Sequence, residues 1–173
     1  MRLFVAVPFS EGTRRALLGL QRELREEVVR GRFSASENLH LTLAFLGECD
    51  SIQLEAAKAV MDAVAFAPFV IQMNRLGRFR RAGGDTWWAG VLECPPLLAL
   101  QGNLAVKLCE AGFSLERRAF RPHVTLARQV EGEAREREIV PFEERVGEIA
   151  LIKSERPSGG RLTYTVIYEK KAD

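Results

Sequence analysis

Two histidine-bearing segments with the same five-residue pattern place the strongest constraint on the fold of this chain. They are His40–Ala44 (HLTLA) and His123–Ala127 (HVTLA), they lie 83 positions apart in 173 residues, and they hold both of the chain's histidines. Each follows, after about 35 residues, a strand pattern and then a helix pattern; the strands are Leu3–Val7 and Trp88–Leu92. A spacing this long indicates two copies of one supersecondary unit rather than a solenoid.

The remaining pattern predicts a single domain, residues 1–173, in which two lobes related by pseudo-twofold symmetry face each other across a cleft. Strands are predicted at Arg2–Pro8, Leu39–Leu46, Phe69–Leu76, Thr86–Leu92, His123–Arg128, Glu148–Ser154 and Leu162–Tyr168. Helices are predicted from Ser10 to a cap at Gly31, from Asp50 or Ser51 to just before Pro68, and over Leu97–Gly112. Arg78–Gly84 is interpreted as a basic loop, and Gly132–Arg145 as a charged surface connection.

Composition excludes several functional classes. The net charge is only +2, which excludes a strongly basic nucleic-acid coat. The apolar stretches are too short for a membrane span or a signal peptide, so we expect a cytoplasmic monomer without membrane contact. The three cysteines, Cys49, Cys94 and Cys109, form no C-x-x-C pair, so we interpret them as structural and buried and expect no metal site.

The histidine segments predict acid–base chemistry. In a strand, residues i and i+2 share a face, so His40 with Thr42 and His123 with Thr125 point to the cleft. Two imidazoles that titrate near neutrality suit a reaction that needs one general base and one general acid, such as in-line displacement at phosphorus. The threonine hydroxyls are candidate donors to the phosphoryl oxygens.

These residues resemble the paired motifs of a known family. Glu37–Glu48 (ENLHLTLAFLGE) and Phe120–Arg128 (FRPHVTLAR) look like the two motifs of the two-histidine (2H) phosphoesterases, and in particular of the LigT-like RNA 2′,3′-cyclic phosphodiesterases, also called 2′-5′ RNA ligases. Arg2–Pro8 and Gly160–Tyr164 fit as well, so the resemblance covers nearly the whole chain; Ser34–Ser36 departs from the usual pattern in a loop. The resemblance implies an α+β fold with two antiparallel sheets, each carrying helices on its outer face.

The resemblance also implies an activity. It is metal-independent hydrolysis of a 2′,3′-cyclic phosphate on RNA ends or nucleotides to a 2′-phosphate, without a cofactor, with a possible reverse 2′-5′ ligation. His123 then corresponds to the proton acceptor and His40 to the proton donor. Phe45 and Arg128 correspond to residues on either side of the nucleobase. Their offset of five from each histidine points away from the histidine face in a straight strand, so each strand must end, twist or bulge there.

Other readings of the sequence stay open. The chain is alternatively a catalytically silent nucleotide- or RNA-binding module, a phosphodiesterase of 2′-5′ linkages, or a metal-dependent hydrolase. Arg78, Arg80 and Arg81, with Phe79 among them, either track an RNA backbone or form a solvated loop. Of the adjacent Trp87 and Trp88, one is expected in the core and the other on the opposite side. Glu37 and Asn38 are interpreted as turn residues.

Overall fold

The computed structural model describes all 173 residues and contains nine strands, three α-helices and one short 3₁₀ turn at Ser36–Asn38. The helices are α1 (Glu11–Glu27), α2 (Ser51–Ala63) and α3 (Pro95–Glu110). The strands are β1 (Arg2–Val7), β2 (Val28–Phe33), β3 (Leu41–Glu48), β4 (Phe69–Phe79), β5 (Asp85–Val91), β6 (His123–Gly132), β7 (Arg137–Val146), β8 (Glu148–Glu155) and β9 (Thr163–Lys171).

The strands form two sheets, and each sheet carries one histidine segment. The four-stranded sheet has the order β3-β1-β8-β9 and the five-stranded sheet the order β2-β6-β5-β4-β7. All strand pairs are antiparallel. The repeated unit is present in both: β1 pairs with the His40 strand β3, and β5 pairs with the His123 strand β6.

The two sheets are not simply the two halves of the sequence. Strand β2, from the first half, forms an edge of the five-stranded sheet, and β8 and β9, from the second half, complete the four-stranded sheet. The helices also cross between repeats: α1 contacts β2, β6 and β7, whereas α3 contacts β3 and β4. Helix α1 therefore packs on the sheet that carries the other repeat's histidine, and α3 contacts both sheets, including the His40 strand β3.

A continuous apolar core joins the helices to the sheet faces that point away from the cleft. Leu17 and Leu24 of α1 and Leu104 of α3 belong to the same buried cluster as Leu41 of β3 and Leu126 of β6. The helices therefore cover the outer faces of the sheets, as expected. A separate small cluster, Phe4, Ala6, Ala150 and Ile152, covers the opposite face of the four-stranded sheet.

Helix capping follows the sequence closely at two of the three helix starts. The Ser10 side chain accepts from the Thr13 backbone N–H at the start of α1, and Asp50 forms a capping box with Gln53 at the start of α2. Helix α3 begins earlier than predicted, at Pro95, because proline suits the first turn of a helix, where no backbone donor is needed.

Three local predictions were wrong. The first helix ends at Glu27, so Gly31 is no cap but lies inside strand β2. The charged stretch at residues 132–145 is no surface connection, since Arg137–Val146 forms edge strand β7 on β4. Arg78 and Phe79 belong to β4, and only residues 80–84 form the turn to β5.

The cysteine prediction was correct for one residue. All three thiols are free, but only Cys49 is buried, while Cys94 is half-buried and Cys109 is exposed. None of the helices has both the length and the apolar character that crossing a membrane would require.

Candidate active site

The two histidine segments share one burial pattern in the structure. In β3, Leu41, Leu43 and Ala44 are buried, Thr42 is half-buried and Phe45 is exposed. The burial pattern of β6 is the same: Val124, Leu126 and Ala127 are buried, Thr125 is half-buried and Arg128 is exposed. Each strand thus buries two consecutive residues, which interrupts the alternation of faces expected of a straight strand.

A β-bulge in each strand explains this interruption. On β3, Thr42 pairs with Ala6 and Ala44 with Val5, so Leu43 is an extra residue. On β6, Thr125 pairs with Trp88 and Ala127 with Trp87, so Leu126 is the extra residue. The extra residue shifts the alternation by one position.

The two bulges return the strands to the cleft face. Phe45 and Arg128 therefore line the same cleft as His40 and His123. Of the expected alternatives, a strand end, a twist or a bulge, the structure has a bulge in each strand, and the two bulges occur at equivalent places, three residues after each histidine.

His40 is held rigidly at the start of its strand. Its Nδ1–H donates to the Asn38 carbonyl at 2.7 Å, and its Nε2 lies 2.8 Å from the Thr42 hydroxyl. Because a carbonyl only accepts, Nδ1 carries the proton, and Nε2 of the neutral ring accepts from Thr42. The rings of Phe4 and Tyr164 flank the imidazole at centroid distances of 4.7 and 5.3 Å.

Burial among these rings makes His40 hard to protonate. The pKa of His40 is lowered to about 4, mainly by desolvation; the Asn38 carbonyl acts in the opposite direction, and the charges of Arg128 and His123 add to the lowering. The free site therefore holds His40 as a neutral imidazole at neutral pH.

His123 repeats this geometry on the other sheet. Its Nδ1–H donates to the Arg121 carbonyl at 2.6 Å, again two residues before the histidine. Phe79 meets the ring edge-on at 5.0 Å, and Trp88 lies 6.2 Å away. Burial lowers the pKa of His123, and Arg128 lowers it as well, against the opposing effect of the Arg121 carbonyl. Both neutral rings thus carry their proton on Nδ1 and leave Nε2 as the nitrogen that can accept one.

The cleft between the sheets is large and basic at its rim. Its volume is about 1350 Å³, and it is lined by residues of both sheets, including His40, Thr42, His123 and Thr125. Several lining residues were missed by the sequence reasoning because they come from strands and loops remote in sequence: Arg2, Arg32, Ser34, Lys153, Arg156, Arg161 and Tyr164. Only their co-location in the folded sheets identifies them.

Asn38 has a larger role than that of a turn residue. Its backbone carbonyl orients His40, and its buried side chain donates to the Leu162 carbonyl at 3.0 Å. The interpretation of Glu37 and Asn38 as turn residues is correct for the backbone, which forms the 3₁₀ turn. The Asn38 side chain additionally ties this turn to the residues just before β9.

The secondary candidates lie outside the cleft lining. Arg78 pairs with Asp85 at 3.3 Å and lies over the Trp87 ring, while Arg80 and Arg81 are exposed. Trp87 is buried in the core and Trp88 faces the other side, as predicted, where it packs near His123. No group of three or more His, Cys, Asp or Glu side chains converges in a geometry that would hold a metal ion.

Curated relatives carry a common description. An RNA 2′,3′-cyclic phosphodiesterase of Geobacillus stearothermophilus is 34% identical over 134 residues, which cover 76% of this chain but only 43% of that relative. One of Archaeoglobus fulgidus is 34% identical over 129 residues, covering 74% of this chain and 72% of the relative.

Solved structures give the same fold over the full chain. Escherichia coli LigT complexed with 3′-AMP matches with a TM-score of 0.84 and 26% identity, covering 99% of this chain and 97% of that one. TT0787 of Thermus thermophilus matches with a TM-score of 0.82 and 31% identity, at the same coverage. The family model of the 2′-5′ RNA ligase superfamily matches residues 15–157. With both histidine segments inside the matched region, the chain belongs to the 2′-5′ RNA ligase superfamily, the two-histidine phosphoesterases.

Proposed function

We propose that this protein hydrolyses the 2′,3′-cyclic phosphate of RNA ends or nucleotides to a 2′-phosphate. The observation that carries the proposal is the pair of imidazoles in one cleft, each with Nδ1–H donated to a backbone carbonyl and Nε2 left as the reactive nitrogen. Two such groups divide the work of a base and an acid in displacement at phosphorus. The relatives that share the fold and are named as RNA 2′,3′-cyclic phosphodiesterases support the same substrate class.

In the proposed reaction, Nε2 of His123 removes a proton from water as its oxygen attacks phosphorus. The bond from phosphorus to the 3′-oxygen breaks, and His40 gives its Nε2 proton to that oxygen. This leaves the phosphate on the 2′-oxygen. His40 needs a proton for this role, and an anionic phosphate beside it opposes the lowering of its pKa by burial.

Thr42 and Thr125 are proposed to stabilise the charge on the phosphoryl oxygens. The Thr42 hydroxyl now donates to His40 Nε2, and a protonated Nε2 frees that hydroxyl to donate to phosphate instead. Thr125 lines the cleft at the equivalent place beside His123. Each sheet thereby supplies one imidazole and one hydroxyl to the same phosphate.

Phe45 and Arg128 are proposed to bind the nucleobase. Phe45 is 46% exposed in the cleft, and Arg2 already lies over one face of its ring at 5.0 Å. We therefore place the base against the other face of Phe45, with the Arg128 guanidinium opposite. Stacking of this kind tolerates any base, which suits an enzyme that acts on RNA ends of varied sequence.

The test is product analysis with purified protein. A 2′,3′-cyclic nucleotide is incubated with and without EDTA, and phosphorus NMR identifies the position of the product phosphate. We expect a 2′-phosphate, unaffected by EDTA, and loss of turnover in both His40→Ala and His123→Ala. A 3′-phosphate would overturn the assigned leaving oxygen, inhibition by EDTA would favour a metal-dependent hydrolase, and binding without turnover would favour a silent binding module.

The alternative substrate is a 2′-5′ linkage. The name of the matching superfamily favours testing it, so the same assay is run with a 2′-5′ dinucleotide and with RNA ends that could be joined.

We also propose that the protein is a monomer and works in the cytoplasm. One chain supplies both imidazoles, and light scattering after gel filtration tests the oligomeric state.

A further inference from the structure

Two glutamine side chains hold the two bulges in an equivalent way. The amide nitrogen of Gln21, on α1, lies 2.9 Å from the Leu126 carbonyl oxygen. The amide nitrogen of Gln101, on α3, lies 3.2 Å from the Leu43 carbonyl oxygen. Leu43 and Leu126 are the extra residues of the two bulges, three positions after each histidine.

A hydrogen bond from a side chain to a bulge carbonyl stabilises the bulge. An extra residue breaks the hydrogen-bond ladder, and a buried carbonyl without a partner is costly. Leu43 and Leu126 are both buried, so their carbonyls depend on partners from the protein. The helices, which cover the outer faces of the sheets, supply one side-chain donor to each carbonyl.

Gln21 makes the more extensive connection of the two. Its side chain is only 3% exposed, and its amide also donates to the Ser34 carbonyl at 2.9 Å. The Ser34 backbone N–H donates to the Leu126 carbonyl, and the Ser34 hydroxyl donates to the Thr125 carbonyl. Gln21 therefore ties the bulge of β6 to Ser34, which itself lines the cleft.

The two bonds connect the repeats crosswise. Gln21 belongs to the repeat of His40 but holds the strand of His123, and Gln101 belongs to the repeat of His123 but holds the strand of His40. Each bulge is what returns the residue two positions after its extra residue, Arg128 or Phe45, to the cleft face.

We propose that Gln21 and Gln101 are positioning residues, each of which aims the base-contacting side chain of the opposite repeat into the cleft. Gln21 acts through Arg128, and Gln101 acts through Phe45. The inference rests on the proposed function, since it gives that site two residues outside the cleft that set the positions of Arg128 and Phe45.

The test is a set of double-mutant cycles. Gln21→Met and Gln101→Met keep the length of the side chain and remove its N–H donors. Each removes the side-chain donor from its bulge carbonyl, although the Leu126 carbonyl keeps the Ser34 N–H. Each is expected to lower kcat/KM for 2′,3′-cyclic AMP about tenfold, mainly through KM, which is the size of effect expected for the loss of a buried hydrogen bond. The neighbouring exposed residues supply matched controls, Arg22→Met and Asn103→Met, which are expected to stay within about twofold of the parent.

The cycles separate positioning from general destabilisation. In an Arg128→Ala background, Gln21→Met is expected to cost almost nothing more, whereas in a Phe45→Ala background it keeps its full effect. The opposite holds for Gln101→Met. Full effects of both glutamine variants in both backgrounds would overturn the proposal.

Hydrogen exchange gives a readout that needs no turnover. Gln21→Met is expected to speed exchange in residues 123–132, and Gln101→Met in residues 41–48, with the crossed segments unchanged. This result in a protein without turnover would leave the crossed connection standing and remove the proposed function. Exchange that is uniform or unchanged in these segments would overturn the positioning proposal even if turnover is normal.

Discussion

His40 should make the folded protein sensitive to mild acid. Burial lowers its pKa from 6.5 to about 4, so the folded protein resists a proton that the unfolded chain accepts readily. The unfolded state therefore gains stability relative to the folded state as the pH falls below 6.5. The loss of stability builds up between pH 6.5 and pH 4 and stops growing below pH 4, where both states are protonated.

The size of the effect follows from these two pKa values. Linkage gives a loss of about 2 kcal/mol at pH 5 and about 3 kcal/mol at pH 4, relative to pH 8, from His40 alone. A domain of this size has a total stability of roughly 5–15 kcal/mol, so the effect is large enough to measure. His123 adds to it in the same direction, because burial lowers its pKa as well.

The assay compares the parent with His40→Gln by urea unfolding at pH 8, 7, 6 and 5 in buffers free of phosphate. The carboxylates titrate in both proteins, so their contribution cancels in the difference between the two stability curves. We expect the parent to lose about 2 kcal/mol more than His40→Gln between pH 8 and pH 5. Added phosphate should reduce that loss, because an anion beside the imidazole favours its protonated form.

Two parallel curves, which differ by less than about 0.5 kcal/mol in their dependence on pH, would refute this reasoning. They would mean that water reaches the imidazole between Phe4 and Tyr164 and that the ring is solvated in the free protein. If the parent instead became more stable relative to His40→Gln as the pH falls, the reasoning would be refuted more strongly, because the folded state would then stabilise the protonated form of His40.

Further expectations concern catalysis. The optimum of kcat/KM should lie below pH 6.5, since both free histidines have lowered pKa values and one must be protonated; a pH–rate profile in buffers of constant ionic strength decides this. Phe45→Ala should raise KM about tenfold with kcat little changed, the loss expected for one stacked base, while Phe45→Trp should restore KM. Gly77→Ala should lower activity and the melting temperature, because its Cβ would overlap the indole ring of Trp88, which packs near His123; a melting curve equal to the parent's would contradict the close contact.

The sequence was sufficient to predict which histidine and threonine side chains line the cleft, because both segments carry local signals. The histidine and threonine share a strand face by simple alternation, and the flanking Leu41 and Val124 are buried as that alternation requires. A strand end, a twist or a bulge was predicted near Phe45 and Arg128, because a straight strand would point these two side chains away from the histidine face. Each segment also contains a direct signal, a Leu–Ala pair in which both residues are buried.

The order of the strands in the two sheets could not be predicted from local sequence patterns. Nothing in Val28–Phe33 or Arg137–Val146 specifies their partners, and both form edge strands whose charged exposed faces resemble loops or helix ends. The exchange of β2, β8 and β9 between the two sheets was not predicted, for the same reason. Strand pairing is decided by contacts between residues more than 100 positions apart, as between β1 and β8.

The packing of each helix against the histidine strand of the other repeat couples the two repeats into one site. In the proposed reaction, acid and base stand on opposite sides of the phosphorus. Because each sheet carries one histidine, the two sheets then need a fixed relation to each other. Helix α1 packs behind the strand of His123 while its own repeat carries His40, and α3 does the reverse. A displacement of either sheet would therefore strain the packing of the other repeat's helix. By this argument the distance between the imidazoles depends on the outer faces of the sheets, and not only on the residues that line the cleft.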